Sequence, residues 1–324
     1  MKVRFQFLLA IFLMLSALPM ACQKNYALAP LSAGATPTCG PGTHTYITQW
    51  GSVGSGNSQF DEAAGMVISG SGKIYVADFN NCRIQEFTTA GSYVTQWGSV
   101  GSGNGQFMGT AAVAVDGNDN VYVADYGNDR VQKFTSSGTY ITQWGSAGSG
   151  NGQLNSPEGI ALDSSANVYV AESGNNRIQK FTSTGTYLTK WGSFGSGTGQ
   201  FSAPALLTVD ASGNVYVPDY NNNRVQVFTS SGVFVMQWGN TGSGVGQFNK
   251  PIGAGVDRCG DVYVTDSVNH RVQKFTTSGT YIMQWGTSGS GNGQFSKPFG
   301  IAVNSSGYVY VDDFNNNNLQ KFGP

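Results

Sequence analysis

The sequence predicts an all-β protein, a six-bladed β-propeller of four-stranded antiparallel blades, closed by pairing the first strand of the chain with the last three. Three observations predict it. The six tryptophans, Trp50, Trp97, Trp144, Trp191, Trp238 and Trp285, follow one another every 47 residues without insertion or deletion. A fixed period of roughly 20–50 residues marks solenoids, propellers and arrays. Each unit holds several short alternating stretches and no helix-length apolar stripe, which excludes helical repeats. Counted from Thr43, six periods of 47 residues run to Pro324, the last residue.

The third copy shows the elements in order. Gly159–Asp163 reads as a first strand, Asn167–Glu172 as a second, Arg177–Phe181 as a third and Tyr187–Trp191 as a fourth. Val, Ile, Tyr, Phe and Trp fill these stretches, and Ser-Ser-Ala, Gly-Asn-Asn and Ser-Thr-Gly separate them, as strands and hairpin turns require. Four antiparallel strands per unit make one blade. The array opens with a lone fourth strand, Thr45–Trp50, and finishes with three strands ending at Phe322. Joined, they complete the sixth blade and leave the ring without an open end. The stretch after each Trp, such as Gly98–Gly109, must then cross from rim to hub, about 14 Å at 4.8 Å per strand spacing. Its glycines permit the bends at positive φ.

Ahead of the array, Lys2 and Arg4 precede an apolar run from Phe7 to Leu15, with small residues at Ser16, Ala17 and Ala21. Nine apolar residues are too few to span a bilayer, which needs about 20, so residues 1–21 read as an export signal. Leu18-Pro19-Met20-Ala21-Cys22 resembles a bacterial lipobox, in which Cys22 would be lipidated. It departs from the usual pattern, because Leu stands four residues before the Cys and Pro19 takes its place. The alternative is cleavage by an ordinary signal peptidase near Ala21 or Ala29. Residues 22–42 are rich in Pro, Gly, Ala, Ser and Thr, as in a flexible tether. The expected location is the bacterial envelope, as a membrane-anchored lipoprotein or otherwise as a secreted or periplasmic protein, with the membrane reached only through the lipid.

Composition narrows the function classes. Charged residues are 11% of the chain, aromatics 12%, and the formal charge of −1 becomes −3 once a leader holding Lys2 and Arg4 is removed. That balance argues against nucleic-acid binding, and a monomer without a cofactor is expected. The recurring Val-Tyr-Val-Ala-Asp followed by Asn-x-Arg-Val-Gln-Lys-Phe resembles the NHL repeat, and Asn269-His270-Arg271 shows the Asn-His pair of its name. The resemblance covers residues 43–324 and implies a six-bladed propeller used mostly as a binding platform. It also reaches enzymes. Amidating lyases on this scaffold bind zinc through several histidines, whereas His44 and His270 are the two present here and lie apart in the sequence.

An acid closes every second strand, Asp78, Asp125, Glu172, Asp219, Asp266 and Asp313, and five residues on stands Arg83, Arg130, Arg177, Arg224 or Arg271, with Asn318 in the last copy. The spacing predicts a bidentate turn lock in the five copies that carry the arginine, rather than catalysis. Asp116, Asp163, Asp210 and Asp257 read as turn acceptors. Departures from the repeat are more informative. The turns between second and third strands vary at Phe79, Tyr126, Ser173, Tyr220, Ser267 and Phe314, and again at Cys82, Asp129, Asn176, Asn223, His270 and Asn317. Just before the first strands stand Ala64, Ala111, Glu158, Ala205, Ile252 and Phe299, with Asp61, Glu62, Lys250 and Lys297 nearby. The candidate binding residues are therefore Phe79, Tyr126, Asp129, Glu158, Tyr220, His270, Phe299 and Phe314, with no catalytic or metal set. Glu158 is the single acid placed at the hub. A protein, peptide or glycan ligand is expected on this face. Two alternatives stay open, a metal-dependent lyase or hydrolase at the central channel and a purely structural envelope protein. Cys82 and Cys259 should lie on opposite faces; a Cys39–Cys259 bridge or free thiols remain the options.

Overall fold

The computed structural model describes residues 42–324, which form six four-stranded antiparallel sheets. Blade one comprises Ala63–Ile68, Lys73–Asp78, Arg83–Thr88 and Tyr93–Trp97, and the later blades repeat it. In blade six the strands Pro298–Val303, Val309–Asp313 and Asn318–Phe322 are completed by Tyr46–Trp50. That clasp pairs Trp50 with Leu319 and Tyr46 with Phe322, so the ring closes through both ends of the sequence as expected. Just before the clasp, His44 is buried, its Nδ1 lies 2.8 Å from the Gly323 carbonyl, and burial lowers its affinity for a proton. The export signal, Cys22, most of the tether and Cys39 lie outside the described residues. Cys259 is disulfide-bonded, while Cys82 is a buried free thiol.

The alternation of each strand sorts its side chains between the two neighbouring blades. Tyr75 and Ala77 pack toward blade two, and Ile74 and Val76 toward blade six. The repeated tyrosine of each second strand is wholly or almost wholly buried. Trp50, Trp97, Trp144, Trp191 and Trp238 each lie against a turn glycine of the next blade, and Trp285 lies against the His44 ring, 4.7 Å between centres. A side chain on Gly91, at φ +85°, would meet the Trp50 ring at 2.7 Å, so only glycine fits there.

The predicted Asp–Arg pairs are present in blades one to five, at 2.6–2.8 Å, but with a different geometry. Each acid is fully buried and meets only the Nε of its arginine. The remaining guanidinium N–H groups are used elsewhere. Arg83 Nη1 donates to the Ser55 carbonyl and Gln96 Oε1, and Nη2 donates to the Gly56 and Gln59 carbonyls. The expected bidentate lock is thus a three-way clamp that pins the rim-to-hub connection onto its blade. The glycine-rich connection supplies carbonyls, and Gln85 and Asn81 add further bonds to it and to Asp78. Asp116 and its equivalents are turn acceptors as expected, with Asp116 Oδ1 taking the Asn118 and Asn120 N–H groups.

Blade six lacks the clamp. Asn318 stands in place of arginine, with its Oδ1 buried and unpartnered. By the repeat, the carbonyls of Ser290, Gly291 and Gln294 stand where a guanidinium would bond. Asn318→Arg is therefore expected to stabilise the fold by about 0.5–2 kcal/mol, in the range of substitutions that restore a consensus. Chemical denaturation measures it, and a loss of stability would show that blade six is built to exclude the clamp.

The first strands differ from expectation in two ways. The hub residues expected just before them lie inside them, at a bulge. Register shifts fall between Ala63 and Gly65, Thr110 and Ala112, Pro157 and Gly159, Pro251 and Ala254, and Pro298 and Ile301. Ala64, Ala111, Glu158, Ile252 and Phe299 are thus bulge residues. A bulge re-aims a side chain that regular pleating would send into the sheet. Blade four has only Thr208–Val209 as its regular first strand. Ahead of it, Leu206 bonds to blade five, its N–H donating to the Ile252 carbonyl and its carbonyl accepting from the Ala254 N–H. The glycine that follows the bulge in blade one, Gly65, shows why the position favours small residues, since a Cβ there would meet the Ala111 carbonyl of blade two at 2.9 Å.

Candidate functional site

The second-to-third-strand turns and the connections share one face. The backbone N–H groups of Phe79, Tyr126, Tyr220 and Phe314 donate to the carbonyls of Glu62, Gly109, Ala203 and Lys297. On that face, at the hub, opens a cavity of about 430 Å³. Tyr126 of blade two, Ser156, Glu158 and Ser173 of blade three, and Tyr220 of blade four line it on one side. Ile252, Lys297 and Phe299 of blades five and six line the other.

The cavity exists because the repeat fails in blade three. Where blades one, two, four and six carry an aromatic residue on the turn, blade three has Ser173-Gly174. This leaves a gap between Tyr126 and Tyr220. Where blades one, two and four carry alanine near the hub, blade three has Glu158. The bulge directs that carboxyl to the cavity rather than into the sheet. Burial pushes it up to about 6, against the lowering effects of the Ser173 hydroxyl and the Lys297 charge. Lys297, half-buried, is held below the ordinary lysine range by burial, with the Glu62 and Glu158 charges working the other way. Its ammonium lies 3.9 Å from the Phe314 ring centre and 5.5 Å from that of Phe299. Those two rings stack at 5.0 Å.

Of the eight residues named from the sequence, Tyr126, Glu158, Tyr220 and Phe299 line the cavity together. Phe79 and Phe314 form its backing, Phe79 against Tyr126 at 5.9 Å between ring centres and Phe314 against Phe299. Asp129 and His270 are engaged elsewhere. Asp129 Oδ1 accepts the Ser156 N–H, and His270 Nδ1 lies 2.8 Å from the Ser296 carbonyl. Each joins its turn to the connection of the next blade, as do Asn176, Asn223 and Asn317 through the N–H groups of Ala203, Lys250 and Glu62. On the strands, Lys133 and Lys180 are occupied by Asp116 and Asp163 at 3.4 and 3.2 Å.

One acid near the hub escaped the sequence reading. Asp312 is fully buried on the second strand of blade six; its Oδ1 accepts the Gly300 N–H at 2.7 Å and its Oδ2 has no partner. Burial first, and then the neighbouring Asp313 charge, pushes it up to about 8. The signal was an acid at Asp312 where the earlier copies carry the uncharged Ala77, Ala124, Ala171, Pro218 and Thr265. Among the described residues no group of three His, Cys, Asp or Glu side chains is placed to hold a metal ion.

Comparison with known proteins bears on the fold and the family. A structural-genomics protein of unknown function from Bacteroides thetaiotaomicron superposes with a TM-score of 0.65 at 21% identity, over 85% of this chain and 76% of that one. A gluconolactonase from Xanthomonas campestris gives 0.63 at 12% identity, over 82% and 87%. A streptogramin B lyase gives 0.61 at 14% identity, over 86% and 97%. At these identities the likeness is one of fold. No curated protein matches the sequence. The NHL repeat model matches residues 60–87, 111–134, 154–181, 201–228 and 248–275, each running from the end of a connection or the start of a first strand to the end of the third strand. With five matched repeats set in six closed blades, the chain belongs to the NHL-repeat family and is a six-bladed β-propeller.

Proposed function

We propose that the protein is a non-catalytic binding propeller of the bacterial envelope, which takes part of a protein, peptide or glycan into the hub cavity. One observation carries this reading. Departures from the repeat at Glu158, Ser173, Ile252 and Phe299 meet in one place, with a carboxyl, an ammonium and aromatic walls around a volume suited to a ligand segment. Six equal blades define no single site, whereas this cavity lies where unequal ones meet. The export signal read in residues 1–21, with Cys22 behind it, supports the envelope location.

A second reading rests on Glu158. A carboxyl pushed up to about 6 exchanges a proton near neutral pH and could serve a lyase as general base without a metal.

Capture from an envelope extract tests the binding reading. The wild-type protein and Lys190→Ala, a change on the exposed rim, are expected to retain a common partner. Tyr126→Ala combined with Tyr220→Ala is expected to lose at least tenfold in capture. Equal capture by the double variant would remove the cavity as the site.

A further inference from the structure

The charges in the cavity narrow the chemistry of its ligand. Glu158 and Lys297 carry opposite signs and line the same cavity, yet neither has an ion-pair partner within 4.0 Å among the described residues. They are close enough to influence one another and too far apart to pair. The lysine is held off by its seat on the Phe299–Phe314 stack. Both groups are partly removed from water, each being half-buried, which raises the one and lowers the other. Two half-desolvated, unpaired charges are costly to maintain. A ligand recovers that cost only by supplying a counter-charge to each.

A monocation would leave Lys297 unpaired, a monoanion would leave Glu158 unpaired, and a neutral ligand would satisfy neither charge. Tyr126, Tyr220 and Ile252 offer apolar surface between the two. Resting on the binding reading above, we propose that the ligand is a small zwitterion with an apolar body, a free α-amino acid or a short peptide. Its ammonium meets Glu158 and its carboxylate meets Lys297. The Tyr126 and Tyr220 rings flank its side chain.

Titration calorimetry on the purified protein tests this with four probes: L-phenylalanine, glycyl-L-phenylalanine, N-acetyl-L-phenylalanine and L-phenylalaninamide. The first two keep both charges, the third lacks the ammonium and the fourth lacks the carboxylate. One of the two zwitterions is expected to bind at least tenfold more tightly than both blocked forms, and the tighter of the two tells a free amino acid from a peptide. Glu158→Gln is expected to erase the preference over the N-acetyl form, and Lys297→Met the preference over the amide, in variants whose thermal unfolding shows them folded. Equal binding of charged and blocked probes, or binding of none, would overturn the zwitterion. The binding reading falls separately, by unchanged capture in the Tyr126 and Tyr220 double variant.

Discussion

Replacing Arg130 by methionine is expected to cost about 3–5 kcal/mol of folding stability, the range for removing one partner of a buried ion pair. Methionine nearly preserves the volume of the side-chain stem but removes every N–H. Asp125, fully buried, is then left with only the Asn128 and Gln132 amides and the Met108 N–H as partners. The carbonyls of Ser102, Gly103 and Gln106 lose their guanidinium donors together. Urea denaturation gives the magnitude. Hydrogen exchange should show accelerated opening of residues 99–109 before any strand of blade two, because the clamp holds the connection and the ladder holds the blade. Uniform loosening of the whole blade, or a loss below about 1 kcal/mol of the kind exposed pairs give, would contradict the clamp. Adding Asp125→Asn removes the stranded charge and should recover part of the loss, as expected for coupled neighbours.

The second large effect is a pH dependence set by Asp312. Its folded carboxyl is pushed up to about 8, whereas an unfolded aspartate releases its proton near 3.9. The folded state therefore holds this proton where the unfolded chain does not. The associated stability is fully present below about pH 4 and lost progressively as pH rises to about 8, at up to about 1.4 kcal/mol per unit for one proton. Blade five shows what the position requires. There Thr265 Oγ1 accepts the Gly253 N–H at 2.7 Å and donates to the Phe299 carbonyl of blade six at 2.8 Å. Asp312 reproduces the first bond, and only its protonated form has a hydrogen to give to the corresponding Ala64 carbonyl of blade one. Asp312→Asn, which always carries N–H donors, should lack this pH-dependent loss. Its advantage over wild type should grow from pH 5 to pH 8 and amount to several kcal/mol. Melting temperatures at pH 5, 7 and 9 measure it, and parallel profiles for the two proteins would sink the assignment.

Legibility followed the range of the interaction. The blade count, the clasp and the strand order were readable because a hairpin repeat fixes them locally, and blade three was read nearly residue for residue. The Asp–Arg spacing across a four-residue turn revealed the pairs. It could not reveal that three of the five guanidinium N–H groups reach a connection 24–28 residues earlier in the chain. Glu158 stood out as a break in the repeat, yet its role as a bulge residue depends on a register shift that no local pattern marks. Asp129 and His270 read as candidate ligand contacts on a turn, but Asp129 Oδ1 and His270 Nδ1 are taken by the backbone of the next blade.

By itself the sequence determined the repeat, its sixfold closure and the positions where the copies differ, because period and hairpin turns act between neighbours in the chain. Only the tertiary structure decided which differences meet. Glu158 and Lys297 are far apart in sequence and face one cavity because closing the ring sets blades three and six opposite each other across a shared hub.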